Sequence, residues 1–482
     1  MRKEDNQLGR VWLLMLFTLL YCLGAYFLPG RIAGHTMKQL DLLADFRLRQ
    51  ESESPMDSLR RQLAKEDTLA LDTISVIETT PGATIDSVSL ALRDSLYQAL
   101  YAVEGADSLG IRIEDYSVGH IGLRRFFAAL TSAAHERPVR VAVLGDSFIE
   151  GDIFVSDLRT AWQQQYGGRG VGFVPIQSVA AQYRPTVSAK AEGWTTKSVF
   201  SDDECVFTLP GLLFEPQEEE PTLHIQLSSR YPTLKEVDQL KLIYAHNQHT
   251  MLRLLTDRLS DTLSVSLPST EQITQYVWAD TLHTADLSFQ QTEGFEALGV
   301  ALEDSVGVVV DNFSLRGHSG LLLERMDSAA CVAFDQIRRY DLIIMQYGLN
   351  VMNDSVMNYD WYARRMVNAI SHVRRCFPES DLLLLSVSDR SWQGEEGFET
   401  MPAVLAMLHA QRKIAKRLGI PFWNLFGAMG GENSMVRFVE NDWASKDYTH
   451  LSFRGGKEVA KALLQALEEE RKFYEEMENR ME

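Results

Sequence analysis

Cysteine is scarce in this chain, with 4 among 482 residues, so the fold cannot be a disulfide scaffold. Cys22 falls in an apolar N-terminal run, which leaves Cys205, Cys331 and Cys376 and room for one bridge at most. No Cys or His cluster has the spacing of a zinc site. His246 and His249 flank Asn247-Gln248 and read as a hairpin turn rather than a metal site. Basic residues are outnumbered, 47 Lys and Arg against 66 Asp and Glu, and the formal charge is -19. Such a chain is repelled by nucleic acid and by anionic lipid, which excludes both as its main partner. No metal or cofactor is expected. Hydrophobic content of 45% and charged content of 23% are those of a globular protein, long enough for two or three domains.

One long uncharged run is present, Val11 to Leu28. As a helix it would span about 27 Å, close to the hydrocarbon thickness of a bilayer. Arg2, Lys3 and Arg10 precede it, which puts residues 1–10 in the cytoplasm and the rest of the chain outside. The rival is a cleaved signal peptide, but Pro29-Gly30-Arg31-Ile32-Ala33-Gly34 is a poor cleavage site. The expectation is therefore an uncleaved single-pass anchor over 11–29 in the inner membrane, with a periplasmic body. Residues 30–115 read as a loosely packed stalk, with linker composition at Glu51-Ser52-Glu53-Ser54-Pro55 and a break at Pro81-Gly82.

From Val139 apolar strands alternate with amphipathic helices. Strands are expected at Val139–Leu144, Val306–Val310, Leu342–Met345, Leu382–Val387 and Ile420–Phe426. Helices are expected at Ile153–Gln165, Leu321–Arg339, Asp360–Arg375 and Pro402–Leu418. Continuous apolar strands separated by helices imply a parallel sheet covered on both faces. Gly307 inside its strand points to a bulge or a close backbone approach. Between residues 176 and 305 the pattern changes. Leu223–Leu227, Leu240–Tyr244 and Leu263–Leu267 are short strand-like runs separated by polar turns, as in a β-sandwich inserted between α/β segments 116–175 and 306–482. Tyr244, Tyr276, Trp278 and Phe289 read as sandwich core before ligand platform.

The chemistry is carried by two short motifs. Val141-Ala142-Val143-Leu144-Gly145-Asp146-Ser147 is an apolar strand ending in a Gly-Asp-Ser turn, with a helix-forming stretch behind it; Asp447-Tyr448-Thr449-His450 lies near the C-terminus. A nucleophilic hydroxyl needs a base, and the base needs a carboxylate to hold its tautomer and stabilise its cation. Ser147, His450 and Asp447 supply these three parts. At a strand-to-helix turn, Ser147 would also gain from the partial positive charge of the helix N-terminus.

At these residues the chain resembles the SGNH, or GDSL, hydrolase family. Gly145-Asp146-Ser147 matches its nucleophile block and Asp447 with His450 its last block. Asn312-Phe313-Ser314-Leu315-Arg316-Gly317 resembles the second block, whose glycine offers a backbone N–H to an oxyanion, and Gly348-Leu349-Asn350 the third, whose Asn side chain is another donor. The run Gly145-Asp146-Ser147-Phe148-Ile149-Glu150-Gly151-Asp152 further resembles envelope-anchored members from Bacteroidetes-type bacteria. The resemblance covers about 116–175 and 306–470. Two departures leave alternatives open. Val351 stands where the third block commonly has Asp, so Asn353 is a rival to Asn350; Gly168, Gly170 and Gly172 are rivals to Gly317.

The resemblance implies a flavodoxin-like α/β fold and acyl transfer through an acyl-serine. The oxyanion donors would be the backbone N–H groups of Ser147 and Gly317 with the Asn350 amide. The location implied by the anchor points to O-acyl groups, acetyl foremost, of cell-envelope polysaccharide or peptidoglycan. Water would make the protein an esterase. A sugar hydroxyl would make it a transferase, for which a membrane acyl-donor partner is implied. Alternatives are a lipase or thioesterase for small acyl esters and, in another class, an idle envelope scaffold or glycan-binding module.

Overall fold

The computed structural model describes residues 112–178, 184–201, 205–394 and 397–481, with short pieces at 31–32 and 35–36 and parts of 90–97. The chain divides into Met1–Thr73 and Ile74–Glu482. In the first unit Arg31–Ile32 pairs with His35–Thr36; all that follows concerns the second. The run Val11–Leu28 lies outside the described residues, and no described helix is long and apolar enough to cross a membrane.

The α/β part is one sheet, built from β1 (Ile113–Asp115), β2 (Pro138–Gly145), β3 (Gly307–Ser314), β4 (Tyr340–Gln346), β5 (Asp381–Leu385) and β6 (Pro421–Trp423). Their spatial order is β3-β2-β4-β5-β6-β1. The first five are parallel and β1 runs antiparallel at the edge. Taken in chain order the parallel strands lie 2-1-3-4-5, the flavodoxin-like arrangement. Every residue of β4 and β5 is buried, as expected of strands covered on both faces. The helices that cover them are α1 (Arg124–Ser132), α2 (Val155–Tyr166), α3 (Ser328–Arg338), α4 (Asp360–Cys376), α5 (Pro402–Leu418) and α6 (Phe453–Met481). α5 begins on Pro402 and ends at Gly419 in the left-handed region, the usual asymmetry of helix ends.

The strands between Gly170 and Glu303 form a sandwich of two antiparallel sheets. One runs Leu263–Ser266, Met251–Thr256, Thr284–Gln290, Thr222–Leu227, Val187–Glu192. Its strands alternate: Leu252 and Leu254, Leu287 and Phe289, and Leu223, Ile225 and Leu227 face one shared core, with polar residues between them. The other sheet runs Thr274–Trp278, Gln239–His246, Glu296–Glu303, Leu212–Pro216, Trp194–Ser198. Here Glu296–Glu303 is buried almost throughout. Val300 and Leu302 enter the sandwich core, whereas Glu303, on the other face, meets Arg140 of β2. Gly170–Pro175, expected to close the first α/β segment, pairs instead with Glu296–Glu303.

The stalk expectation also changes. Ile113–Asp115 is an edge strand of the α/β sheet, and Tyr97, at 7% exposure, stacks on His120 and accepts the Asp115 N–H at 2.7 Å. The end of the segment 30–115 is therefore part of the α/β body. Cys331 and Cys376 are buried free thiols.

Candidate active site

β2 ends at Gly145, and the chain turns sharply. Asp146 Oδ1 accepts the Phe148 N–H at 2.9 Å, which leaves Ser147 half-buried at the corner. Only a short 3-10 turn, Glu150–Asp152, comes before α2 begins at Val155. Ser147 is thus on a side-chain-capped turn, not at a helix N-terminus, and the helix dipole expected to favour an oxyanion there does not apply.

The C-terminal motif arrives through α6. A Cβ added to Gly456 would lie 2.0 Å from the Ile153 carbonyl oxygen, so the missing side chain lets the first turn of α6 rest against the end of the nucleophile loop. The loop before α6 closes through the Ala444–Leu451 bridge and the Ser445 N–H to His450 carbonyl bond of 2.8 Å. It brings His450 Nε2 to 2.9 Å from Ser147 Oγ. On the other side of the ring, Nδ1 is 2.8 Å from Asp447 Oδ2, and Asp447 Oδ1 accepts the N–H groups of Thr449 at 2.9 Å and His450 at 3.0 Å. Burial pushes the Asp447 carboxyl up, but these hydrogen bonds outweigh it and the carboxyl is held below its ordinary range. An ionised Asp447 fixes the Nδ1–H tautomer and leaves Nε2 free to take a proton from Ser147.

Asn350 and Gly317 stand on the two loops that flank this turn. β4 leads into Tyr347-Gly348-Leu349-Asn350, which is clamped by Gln411 of α5: its Nε2 donates to the Tyr347 carbonyl at 2.7 Å and its Oε1 accepts the Val387 N–H at 2.8 Å. Asn350 Nδ2 donates to Asp146 Oδ2 at 2.9 Å and to the His318 carbonyl at 3.3 Å. Asn353, the rival, is used within its own loop, where Oδ1 accepts the Ser355 N–H and hydroxyl. β3 leads into the Gly317 loop, tied to the nucleophile strand by the Leu315 N–H to Gly145 carbonyl bond of 3.0 Å. Gly317 is exposed, with φ +79° and nothing within 4 Å of where a Cβ would be. The rivals Gly168, Gly170 and Gly172 abut the backbone at Val308, Leu302 and Val310, along β3 and the sandwich rather than at the carboxyl end of β3. Gly307 itself abuts Gly168, the close approach expected of a glycine in that strand.

Two roles escape the sequence reading. Asp146 is fully buried and joins the nucleophile turn to Asn350; burial pushes its carboxyl up to about 7, against the pull of the Phe148 N–H, the His450 charge and the Asn350 amide. Asp152 ends the same turn and is the hub of a buried ion network. Arg159 Nη1 and Arg184 Nη2 each lie 3.0 Å from it, Thr186 Oγ1 donates at 2.6 Å and Asn312 Nδ2 at 2.9 Å. Burial raises the Asp152 carboxyl, but the two guanidinium groups outweigh it and hold it far below the ordinary range. Arg184 and Thr186 lead into the sandwich, so the insert holds the nucleophile turn. A second network ties β2 and α3 to the sandwich. Glu303 accepts from Arg140 at 2.6 Å and Lys241 at 2.7 Å, with Arg338 Nη2 at 2.7 Å paired by charge rather than by an aligned hydrogen bond. A Gly-Asp-Ser-x-x-x-x-Asp run signals neither role, because it carries no trace of which carboxylates end up buried.

No protein-family model and no curated protein matches the sequence. Among solved structures, a peptidoglycan O-acetylesterase superposes with a TM-score of 0.61 at 19% identity, over 75% of this chain and 99% of its own. A GDSL-like lipase from Parabacteroides merdae ATCC 43184 matches with a TM-score of 0.27 at 15% identity, over 33% and 72%. Axe2, an acetylxylan esterase from Geobacillus stearothermophilus, matches with a TM-score of 0.26 at 15% identity, over 34% and 73%. At such identities the likeness is one of fold, and the first carries it. The fold is mixed α/β, and it is shared with the peptidoglycan O-acetylesterase.

Proposed function

We propose that this protein is a serine esterase of the SGNH type that removes O-acetyl groups from a cell-envelope glycan, peptidoglycan or another polysaccharide, through an acyl-serine. The observation that carries the reading is the continuous relay Asp447–His450–Ser147, at 2.8 and 2.9 Å, at the carboxyl end of β2. That end borders the switch point between β2 and β4, where the order of the parallel strands reverses and open α/β sheets bind their ligands. His450 takes the Ser147 proton as Oγ attacks the acetyl carbonyl, and Asp447 stabilises the imidazolium that forms. The Ser147 and Gly317 N–H groups stabilise the oxyanion, joined by the Asn350 amide when one of its N–H groups turns from the His318 carbonyl, with each good donor contributing about 3 kcal/mol. His450 then returns the proton to the departing sugar oxygen, and water or a second sugar hydroxyl resolves the acetyl-serine.

The glycan substrate is supported by the fold shared with the peptidoglycan O-acetylesterase. The envelope setting rests on the Val11–Leu28 run and the basic residues before it. The test is acetate release by the purified full chain from O-acetylated peptidoglycan and O-acetylated polysaccharides, together with labelling by a fluorophosphonate. Release that disappears in Ser147→Ala, with the label mapped to Ser147, is the expected result. A chain that binds these glycans, releases no acetate and resists the probe is a binding module, and the reading is then wrong.

A further inference from the structure

The loop beyond β5 carries a hairpin, Ser391–Gln393 paired with Phe398–Thr400, that reaches the base side of the site. Its Ser391 N–H donates to the Tyr448 carbonyl at 3.1 Å, and its exposed Phe398 ring stacks on the Tyr448 ring with centroids 3.7 Å apart and planes within 9°. Tyr448 stands between Asp447 and His450 with φ +55°, a conformation a bulky side chain rarely adopts. Strain of that kind persists only where surrounding contacts impose it, and it gathers at functional sites. Immediately before the hairpin, Arg390 is half-buried and reaches the Leu349 carbonyl at 3.5 Å, one residue from Asn350. Among the described residues it has no carboxylate partner, whereas the Arg316 guanidinium, also beside the nucleophile turn, is paired with Glu150.

We propose that Arg390 and the Phe398–Tyr448 pair form a subsite for an acidic sugar, so that the acetylated glycan is one that carries a carboxylate. This rests on the esterase reading above and narrows its substrate. The stacked rings offer a flat, apolar face of the kind a sugar ring covers with its C–H groups. The Arg390 fork presents unused N–H donors, and a guanidinium matches a carboxylate in a bidentate, charge-assisted pair. In a protein of charge -19 an anionic polymer is repelled by the surface as a whole, so a guanidinium that lacks a carboxylate partner among the described residues and lies one residue from Asn350 becomes the local determinant of where the carboxylate lies.

The experiment uses the full chain and two forms of one polymer, O-acetylated polygalacturonate and the same polymer with its carboxylates reduced to alcohols. The ratio of kcat/KM for the first to that for the second is the readout, since it cancels any general effect on the triad. The native protein should favour the carboxylated form, Arg390→Gln should lower the ratio about tenfold or more, and Arg390→Lys should fall between. Phe398→Ala should raise KM for both forms alike without changing the ratio. A native ratio near one overturns the proposal. So does a loss in Arg390→Gln that falls equally on both forms, which makes Arg390 only a prop for Leu349 and Asn350. If the native chain releases acetate from neither polymer nor from acetylated peptidoglycan, the esterase reading fails and this inference falls with it; release from both forms with equal efficiency sinks this inference alone.

Discussion

The two sides of the candidate site are built in opposite ways. On the nucleophile side, Ser147 stands on a turn whose ends are the buried carboxylates Asp146 and Asp152, and Asp152 is gripped by two arginines whose side chains are at most 5% exposed. On the base side, Asp447 and His450 are 50% and 38% exposed, on a loop held by backbone bonds and one aromatic stack. The first side draws its rigidity from the sandwich, through Arg184 and Thr186; the second from a hairpin of three-residue strands. The sandwich is thus part of the frame of the Ser147 turn, while the Asp447–His450 loop is held chiefly by its own backbone bonds and the hairpin.

Removing the reacting groups is the strongest test of the site itself. Ser147→Ala and His450→Ala should each nearly abolish ester turnover, by about 10⁴-fold or more, with unfolding midpoints unchanged. Substituting one carboxylate from each side then probes the contrast in support. Asp152→Ala leaves two buried guanidinium groups uncompensated and should cost about 3–5 kcal/mol in urea unfolding. Asp447→Ala, at a half-exposed position, should stay within about 0.5 kcal/mol while losing most activity. Equal stability losses in the two variants would erase the contrast.

Much of the α/β part is legible in the sequence because strands buried on both faces are continuous apolar runs. Leu342–Met345 falls within β4, and Pro402–Leu418 keeps its bounds as α5 because proline opens it and glycine follows it. The sandwich is legible by alternation. The 29-residue α6 is not named in advance, although Val459, Ala460, Leu463, Ala466 and Leu467 mark its buried face; its many glutamates and lysines mask that pattern. The stretch Leu321–Arg339, expected as one helix, is a 3-10 turn at Leu321–Arg325 and then α3, divided where Asp327 caps the second piece. The triad pairing is readable because Asp447 and His450 are close in sequence and their motif is local. The ion networks are not, since Asp152 and Arg184, or Arg140 and Glu303, lie far apart and no period links them.

The next largest effect falls on the loop that faces both sides. Asn350 is held against Asp146 and the His318 carbonyl, and an oxyanion donor acts mainly in the transition state. Asn350→Ala should lower kcat about 10²-fold with little change in KM. Asn353→Ala, whose side chain only caps the Ser355 turn, should cost little activity. If the two results are exchanged, the third block must be read three residues later, and Asp146 loses its reason for being buried beside Asn350.

The smallest expected effect isolates Asp146, the carboxylate that joins nucleophile turn and oxyanion loop. Burial holds its carboxyl up at about 7, whereas in an unfolded chain it would release its proton near pH 4. Between those values the folded protein binds a proton that the unfolded chain has lost, so this group makes stability fall as pH rises from about 4 to about 7. Asp146→Asn removes that titration. Its amide oxygen can still accept the Phe148 N–H, but its NH2 would confront the Asn350 amide, donor against donor. Activity should fall about tenfold through the displaced Asn350. The stability difference between the variant and the native protein should shift in the variant's favour as pH rises across that window. Parallel stability–pH curves for the two proteins, from chemical unfolding at each pH, would mean that Asp146 is ionised throughout and that its neighbours solvate the charge.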